Sequence, residues 1–100
     1  MSHVLIHHKV AKYESWKKVF DSHAEFRRSS GEKSYQIFRS HEDPNSITLL
    51  FEWESSASAK KFQGSDNLKA AMKEAGVVGP PEIQYLDAVT HGAHKSVKVI

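Results

Sequence analysis

Two histidines, His8 and His23, occupy positions where an imidazole could do acid–base chemistry. His8 lies between Ile6 and Val10 on one face of an alternating segment, and His23 continues a stripe of aromatic residues with helical spacing. If these faces pack together, both rings enter one apolar compartment, where loss of hydration favours the neutral imidazole. A neutral imidazole can take a proton from a substrate hydroxyl, so we predict His8 and His23 as catalytic residues. The alternative is that each is a structural histidine, satisfied in the core or facing water at its rim.

Aromatic side chains around these histidines could form a site for a flat organic molecule, because small-ligand pockets usually combine apolar walls with a few polar groups. The residues predicted to bind substrate are Trp16, Phe20, Phe51 and Trp53. Their periodic positions are equally typical of an ordinary core. Arg27 or Arg39 could stabilise an anion in such a site, although a solvated surface position is the simpler expectation for each.

Other chemistries lack the residues that they need. The chain has no cysteine, which excludes disulfides, thiolate catalysis and cysteine-ligated zinc. Adjacent His7 and His8 point to opposite faces of a strand, and His3 lies about 13 Å from His7 at strand rise, so we expect no metal site. Neither a G-x-G-x-x-G pattern nor a phosphate-binding loop occurs, and we expect no cofactor.

Composition narrows the partners and the location. With 100 residues, of which 39% are hydrophobic and 26% charged, the chain has the profile of one globular domain. The formal net charge of +2 is small and argues against nucleic acid as a partner. No apolar run reaches the roughly 18 residues of a membrane helix, and the first residues do not form a signal peptide. We therefore expect a cytoplasmic protein without a membrane partner.

The hydrophobic periodicity and the turn residues predict the order β-α-β-β-α(α)-β. The predicted elements are a strand over 4–10, a helix from Tyr13 that stops at Gly31, strands over 34–40 and 46–53 joined by a turn, a short helix from Ser55 or Ser56 to about Phe62, a helix capped by Ser65 and ended by Gly76, and a strand over 83–89 after Gly79-Pro80-Pro81. Right-handed crossovers turn this order into a ferredoxin-like α+β fold, a four-stranded antiparallel sheet with the helices on one face. We assign residues 1–90 to this domain and 91–100 to a tail of uncertain structure, in which Ser96–Ile100 is either a short strand or frayed.

The sheet face away from the helices carries more apolar residues than a small monomer usually exposes. Leu5, Leu50 and Leu86 are predicted on that face, together with Phe38. Two such faces packed together in a twofold arrangement would bury them, which predicts a homodimer through the open sheet face. The alternative is a half-polar solvent face, since Gln, Thr, Lys and Glu share it.

Several segments resemble those of the small dimeric α+β barrel proteins related to antibiotic-biosynthesis monooxygenases. The similar segments are Val4-Leu5-Ile6-His7-His8-Lys9-Val10, Tyr13-x-x-Trp16-x-x-x-Phe20-x-x-His23, Phe38-Arg39, Asp43-Pro44-Asn45, Leu50-Phe51-Glu52-Trp53 and Ser65-x-x-Leu68-x-x-Ala71-Met72. The resemblance spans residues 3–89. It implies a ferredoxin-like protomer whose sheet meets its twin to form a barrel, with a pocket between sheet and helices. Activities in that group include cofactor-free oxygenation of polycyclic phenols and quinols, haem degradation, and cyclisation or decarboxylation-type reactions.

Departures from the better-known branches restrict this expectation. The haem-degrading branch has an Asn on the first strand, a Trp near the end of the third and an iron-ligating His on the next helix. Here Trp53 fits, but the first strand offers His7 and His8, and residues 56–63 contain no His, so haem is not expected. The reaction that the resemblance favours is cofactor-independent oxygenation of a hydroxylated aromatic or polyketide-like compound. A non-catalytic ligand-binding or interaction domain is the alternative.

Overall fold

The computed structural model describes residues 2–95, and its strands form one sheet with the helices packed on one face. The elements are β1 (Ser2–Val10), α1 (Tyr13–Ser22), α2 (Ala24–Ser30), β2 (Glu32–Arg39), β3 (Ser46–Trp53), α3 (Ser56–Gln63), α4 (Asp66–Ala75) and β4 (Val77–Asp87). The strand order is β2-β3-β1-β4, and every neighbouring pair is antiparallel. The predicted ferredoxin-like α+β fold is confirmed. The expectation for Ser96–Ile100 lies outside the described residues.

The helix-covered face of the sheet forms the core because β1 and β3 alternate strictly. In β3 the side chains of Ile47, Leu49, Phe51 and Trp53 are buried and those between them are less so. Val4 and the other even-numbered residues of β1 lie on the same face, opposite β3 in the central pair of strands. A period of two therefore puts one apolar row of each central strand under the helices.

The predicted first helix is two helices, because His23 interrupts the hydrogen-bond ladder. In a regular helix the His23 backbone N–H would donate to the Val19 carbonyl. Instead, the Val19 carbonyl oxygen lies 3.1 Å from Nδ1 of the His23 ring, and the His23 N–H donates to the Phe20 carbonyl. The Ser22 hydroxyl also donates to Val19. The side chains thus replace the backbone donor, α1 ends at Ser22, and α2 starts at Ala24.

The last strand is longer than predicted and starts earlier, at Val77 instead of Ile83. Between the pairs His7–Glu82 and Lys9–Val78, the single residue His8 lies opposite three residues of β4, Gly79-Pro80-Pro81. Proline is tolerated here because β4 is an edge strand and the ladder is already interrupted. Gly79 has φ +73°, a conformation that favours glycine. Gly79-Pro80-Pro81, predicted to precede the strand, is therefore a bulge inside it, directly beside His8.

Gly31 links α2 to β2 in a conformation and a space that only glycine fits well. Its φ is +121°, and a Cβ there would lie 3.3 Å from Ser58 Cβ and 3.4 Å from Trp53 Cε3. Gly64 ends α3 with φ −90°, and the nearest atom to an added Cβ is 3.7 Å away. These two glycines make a matched pair, since both end a helix and only one has positive φ.

We expect Gly31→Ala to lower the free energy of unfolding by about 1–3 kcal/mol, because the strained backbone and the close Cβ both act on the folded state. Gly64→Ala should be neutral or stabilising by about 0.4–1 kcal/mol, because it restricts the unfolded chain at a compatible position. Urea unfolding followed by tryptophan fluorescence measures both. Equal effects for the two variants would contradict this account of Gly31.

Candidate functional site

An apolar cavity of about 80 Å³ lies between the sheet and the helices. All six residues predicted from the sequence as catalytic or substrate-binding line it: His8, Trp16, Phe20, His23, Phe51 and Trp53. They come from β1, α1, the α1–α2 junction and β3, so the tertiary structure brings together residues up to 45 positions apart. Their assigned roles remain predictions, but their common location is a property of the fold.

His8 is a buried imidazole without hydrogen-bond partners in the described residues. It is 7% exposed, and neither Nδ1 nor Nε2 has a donor or acceptor within reach among residues 2–95. Its ring meets Trp16 edge-on, with 5.7 Å between centroids. Burial, with a smaller contribution from the charge of neighbouring His7, lowers the pKa of His8 from 6.5 to about 4. The ring is therefore neutral at pH 7, with one nitrogen able to accept a hydrogen bond and the other able to donate one.

His23 is half-buried, and its tautomer follows from its contacts. Nδ1 lies 3.1 Å from the Val19 carbonyl oxygen and 3.2 Å from the Ser22 hydroxyl. A carbonyl oxygen can only accept, so Nδ1 carries the hydrogen and Nε2 of the neutral ring keeps its lone pair. His23 lines the cavity from the junction of α1 and α2.

The aromatic residues form a continuous wall. Trp16 and Phe20 stack with 5.0 Å between centroids, and Phe20 lies 6.3 Å from Phe51. Trp53 packs against Phe62 at 5.1 Å, and its Nε1 is buried without a hydrogen-bond partner in the described part of the chain. Since Trp16, Phe51 and Trp53 also belong to the core cluster, these rings both stabilise the fold and line the cavity.

Arg27 also lines the cavity, which contradicts the expectation of a solvated surface arginine. It is 4% exposed, and its Nε donates a 2.8 Å hydrogen bond to Glu32 Oε1. Nη1 donates to the Phe20 carbonyl, and the guanidinium carbon lies 3.7 Å from the centroid of the Phe20 ring. The sequence contained a usable signal, because Phe20, His23 and Arg27 continue one stripe at spacings of three and four.

Glu32, the partner of Arg27, is equally buried. Burial raises the pKa of its carboxyl, and the nearby Arg27 charge opposes that shift with a smaller effect. Arg27 lines the apolar cavity, and Glu32 lies behind it, outside the lining. A buried ion pair usually contributes no more stability than apolar side chains of similar volume would. A stabilising role by itself therefore does not explain why Arg27 is buried here.

Arg39, the other arginine considered from the sequence, is exposed and lies outside the cavity. Its guanidinium covers the Tyr13 ring at 4.1 Å, and its Nε donates to the Pro44 carbonyl at 3.1 Å. It stabilises the turn between β2 and β3 against the start of α1.

Two further observations concern metals and membranes. Within residues 2–95, no three His, Asp or Glu side chains lie close enough together to hold a metal ion. None of the helices in this described range is long and apolar enough to cross a membrane.

The fold and the cavity define a class, a small ferredoxin-like α+β protein with an apolar pocket between sheet and helices. The family model of the antibiotic biosynthesis monooxygenases matches residues 3–74. The chain therefore belongs to the antibiotic biosynthesis monooxygenase family, and the resemblance in its sequence motifs is confirmed.

Solved structures agree with this assignment. A candidate antibiotic biosynthesis monooxygenase from Caulobacter crescentus CB15 is 32% identical, with 89% of this chain and 90% of that chain covered and a TM-score of 0.71. One from Bordetella bronchiseptica is 17% identical over 89% of this chain and 97% of that chain, with a TM-score of 0.74. SnoaB, a cofactor-independent oxygenase from Streptomyces nogalater, is 14% identical over 90% and 94%, also with a TM-score of 0.74. Among curated proteins, none matches this chain.

The lowered pKa of His8 makes stability depend on pH. Between about pH 6.5 and about pH 4 the unfolded chain binds a proton at His8 that the folded chain does not, so acidification favours unfolding. As the pH falls from about 6.5 to about 4, we expect the contribution of His8 to lower the free energy of unfolding by up to about 3 kcal/mol. Above about pH 6.5 this loss is absent.

The comparison of wild type with His8→Leu isolates this effect, because the leucine is apolar and does not titrate. Urea unfolding at about pH 7.5 and about pH 4.5 should show a smaller pH difference in His8→Leu than in wild type. His41→Gln, at an exposed histidine of the β2–β3 turn, should retain the wild-type difference. An unchanged pH difference in His8→Leu would contradict the buried neutral state of His8.

Proposed function

We propose that this protein is a cofactor-independent monooxygenase that acts on a hydroxylated aromatic or polyketide-like compound in the cavity. The observation that carries the proposal is the pair of unpartnered nitrogens on neutral, buried His8, inside a cavity with aromatic walls. Membership of the antibiotic biosynthesis monooxygenase family supports it. SnoaB is a cofactor-independent oxygenase with a similar fold, and this analogy also supports the proposal.

The first step is proton transfer from the substrate hydroxyl to a histidine. A free phenol has a pKa of about 10, whereas the pKa of His8 is about 4 in the empty cavity. Proton transfer to His8 is therefore unfavourable unless the pKa of His8 rises when the substrate is bound. The phenolate that forms beside it has this effect, because an adjacent anion in an apolar site raises the pKa of an imidazole. His23, whose Nε2 carries a lone pair, is the second candidate base. Trp16, Phe20 and Trp53 would hold the ring flat and exclude water.

The second step needs no external reductant if the substrate supplies every electron. An activated ring carbon of the phenolate, bearing hydrogen, forms a bond to one oxygen atom of O₂. The oxygen–oxygen bond then breaks, the ring carbon becomes a carbonyl, and the second oxygen leaves as water with the two hydrogens that the substrate has lost. A phenol and O₂ thereby give a quinone and water, with four electrons moving from the ring to oxygen.

The substrate requires the cavity to widen. A cavity of about 150 Å³ accommodates benzene, and the present volume is about 80 Å³. Met72 and Gln63 belong to the lining, and both are unbranched side chains with several rotatable bonds. Outward movement of these side chains admits a ring without moving the sheet that carries His8.

Binding and oxygen consumption together test the proposal. Wild type mixed with naphthol should consume O₂ and form the quinone, and His8→Leu should retain binding but turn over about 10²–10⁴-fold more slowly, the usual contribution of a general base. His41→Gln serves as the matched control and should keep the wild-type rate. Binding without oxygen uptake in wild type would favour the non-catalytic ligand-binding alternative, and absence of binding would refute the site.

We further propose that the protein is a cytoplasmic homodimer that pairs through the sheet face opposite the helices. Phe38 is 51% exposed and Leu86 39% exposed on that face, and Leu5 and Leu50 lie between them in the central strands. Burial of such a row in a twofold interface supports this arrangement. The lack of cysteine fits a reducing compartment.

Leu50→Glu should dissociate the dimer, because it places a carboxylate in the centre of the proposed interface beside its own symmetry copy. Light scattering at micromolar concentration should give a dimeric mass for wild type and a monomeric mass for Leu50→Glu. Ala70→Glu, at an exposed position of α4, should remain dimeric. A wild-type monomer would contradict the proposal.

A further inference from the structure

We propose that Arg27 binds a carboxylate of the ligand through Nη2, so that the preferred ligand is a flat hydroxylated aromatic acid and not a neutral phenol. This inference rests on the proposed function, since it names the substrate class of the same cavity. It assigns Arg27 a role in specificity, separate from the proton transfer at the histidines.

The first observation is an incomplete set of hydrogen bonds on a buried cation. Nε of Arg27 donates to Glu32, and Nη1 donates to the Phe20 carbonyl. Nη2 is buried and has no acceptor among residues 2–95. A buried charged donor without a partner is costly, and an anionic ligand in the adjoining cavity would supply the missing acceptor.

The second observation is the charge distribution around the cavity. Of the described residues that line it, Arg27 is the only one with a permanent charge, and Glu32 is not part of the lining. The countercharge is bound at Nε and does not belong to the cavity lining. A ligand meets a positive group in an apolar surrounding, where attraction to an anion is strongest.

The third observation is that Arg27 is already held in position. The Glu32 carboxylate, the Phe20 carbonyl and the Phe20 ring, whose centroid is 3.7 Å from the guanidinium carbon, contact it from three directions. A ligand would not have to order this side chain, and the loss of rotamer freedom on binding is correspondingly small.

The fourth observation is the order of side chains along the wall. His8 contacts Trp16, Trp16 stacks on Phe20, and Phe20 covers Arg27. The hydrogen-bonding histidine and the cation are thus separated by two aromatic rings. A ligand that spans them carries its hydroxyl and its carboxylate at opposite ends of a flat ring system that lies along this row of side chains.

A matched pair of ligands tests this assignment. Naphthol and a hydroxynaphthoate with its carboxylate on the second ring share the hydroxylated bicycle and differ in the anion. Isothermal titration calorimetry with wild type at neutral pH should give a Kd at least about tenfold lower for the acid, the scale of one charge-assisted hydrogen bond. Equal affinities would overturn the role of Arg27 and leave the aromatic site intact. Absence of binding for both would overturn this inference and the proposed function together.

Three variants separate ligand recognition from structural support. Arg27→Gln with Glu32→Gln removes both charges while keeping polar side chains of similar length, and should abolish the preference for the acid while naphthol affinity changes less than about threefold. Glu32→Gln alone removes the competing carboxylate and should increase the preference. Arg39→Gln, at an exposed arginine that also lies on an aromatic ring, should keep the wild-type preference.

The Glu32→Gln result keeps the test decisive if the double variant does not fold. The measured quantity is the rise in melting temperature of Glu32→Gln when a ligand binds. If the ion pair is purely structural, the acid and naphthol should raise it equally. If Nη2 binds the carboxylate, the acid should raise it more than naphthol does. Persistence of the preference in the folded double variant, or an unchanged preference in Glu32→Gln, would overturn the proposal.

Discussion

Trp16 packs α1 against the sheet and belongs both to the core cluster and to the cavity lining. Trp16 is buried, meets His8 edge-on and stacks on Phe20. Loss of a buried tryptophan side chain typically costs about 3–5 kcal/mol, a large share of the stability of a domain of this size. Trp16 also lines the cavity and, together with Phe20, lies between His8 and Arg27. Trp16 therefore contributes both to the packing of the core and to the geometry of the candidate site.

The cavity contains polar groups that an ordinary core would satisfy or exclude. Both ring nitrogens of His8, Nη2 of Arg27 and Nε1 of Trp53 are buried without partners in the described chain. Groups of this kind lower stability unless something binds them. Their concentration around one apolar space, beside a bulged edge strand, supports the ligand site that we propose. Fold and family alone would not lead to that conclusion, because one fold supports many functions.

Much of the fold was predictable from local pattern. The alternation in β1 and β3, the serine caps of α3 and α4 and the glycines at helix ends depend on neighbours in the sequence, and the structure contains each of them. The two misplaced boundaries have non-local causes. The helix breaks at His23 because its ring contacts the Val19 carbonyl. β4 starts early because its register with β1 extends past Pro80 and Pro81, and an edge strand tolerates prolines.

The candidate site, like the fold, has features that were predictable from local sequence and others that depend on contacts between distant residues. Hydrophobic periodicity was sufficient to predict which side chains share a face of one element. The residues on the predicted apolar faces include His8, Trp16, Phe20, His23, Phe51 and Trp53. Packing between elements places those faces around one cavity, buries Arg27 with Glu32, and leaves Nη2 without a partner in the described residues. These properties depend on distances and desolvation between elements far apart in the chain, which no spacing within a single element records.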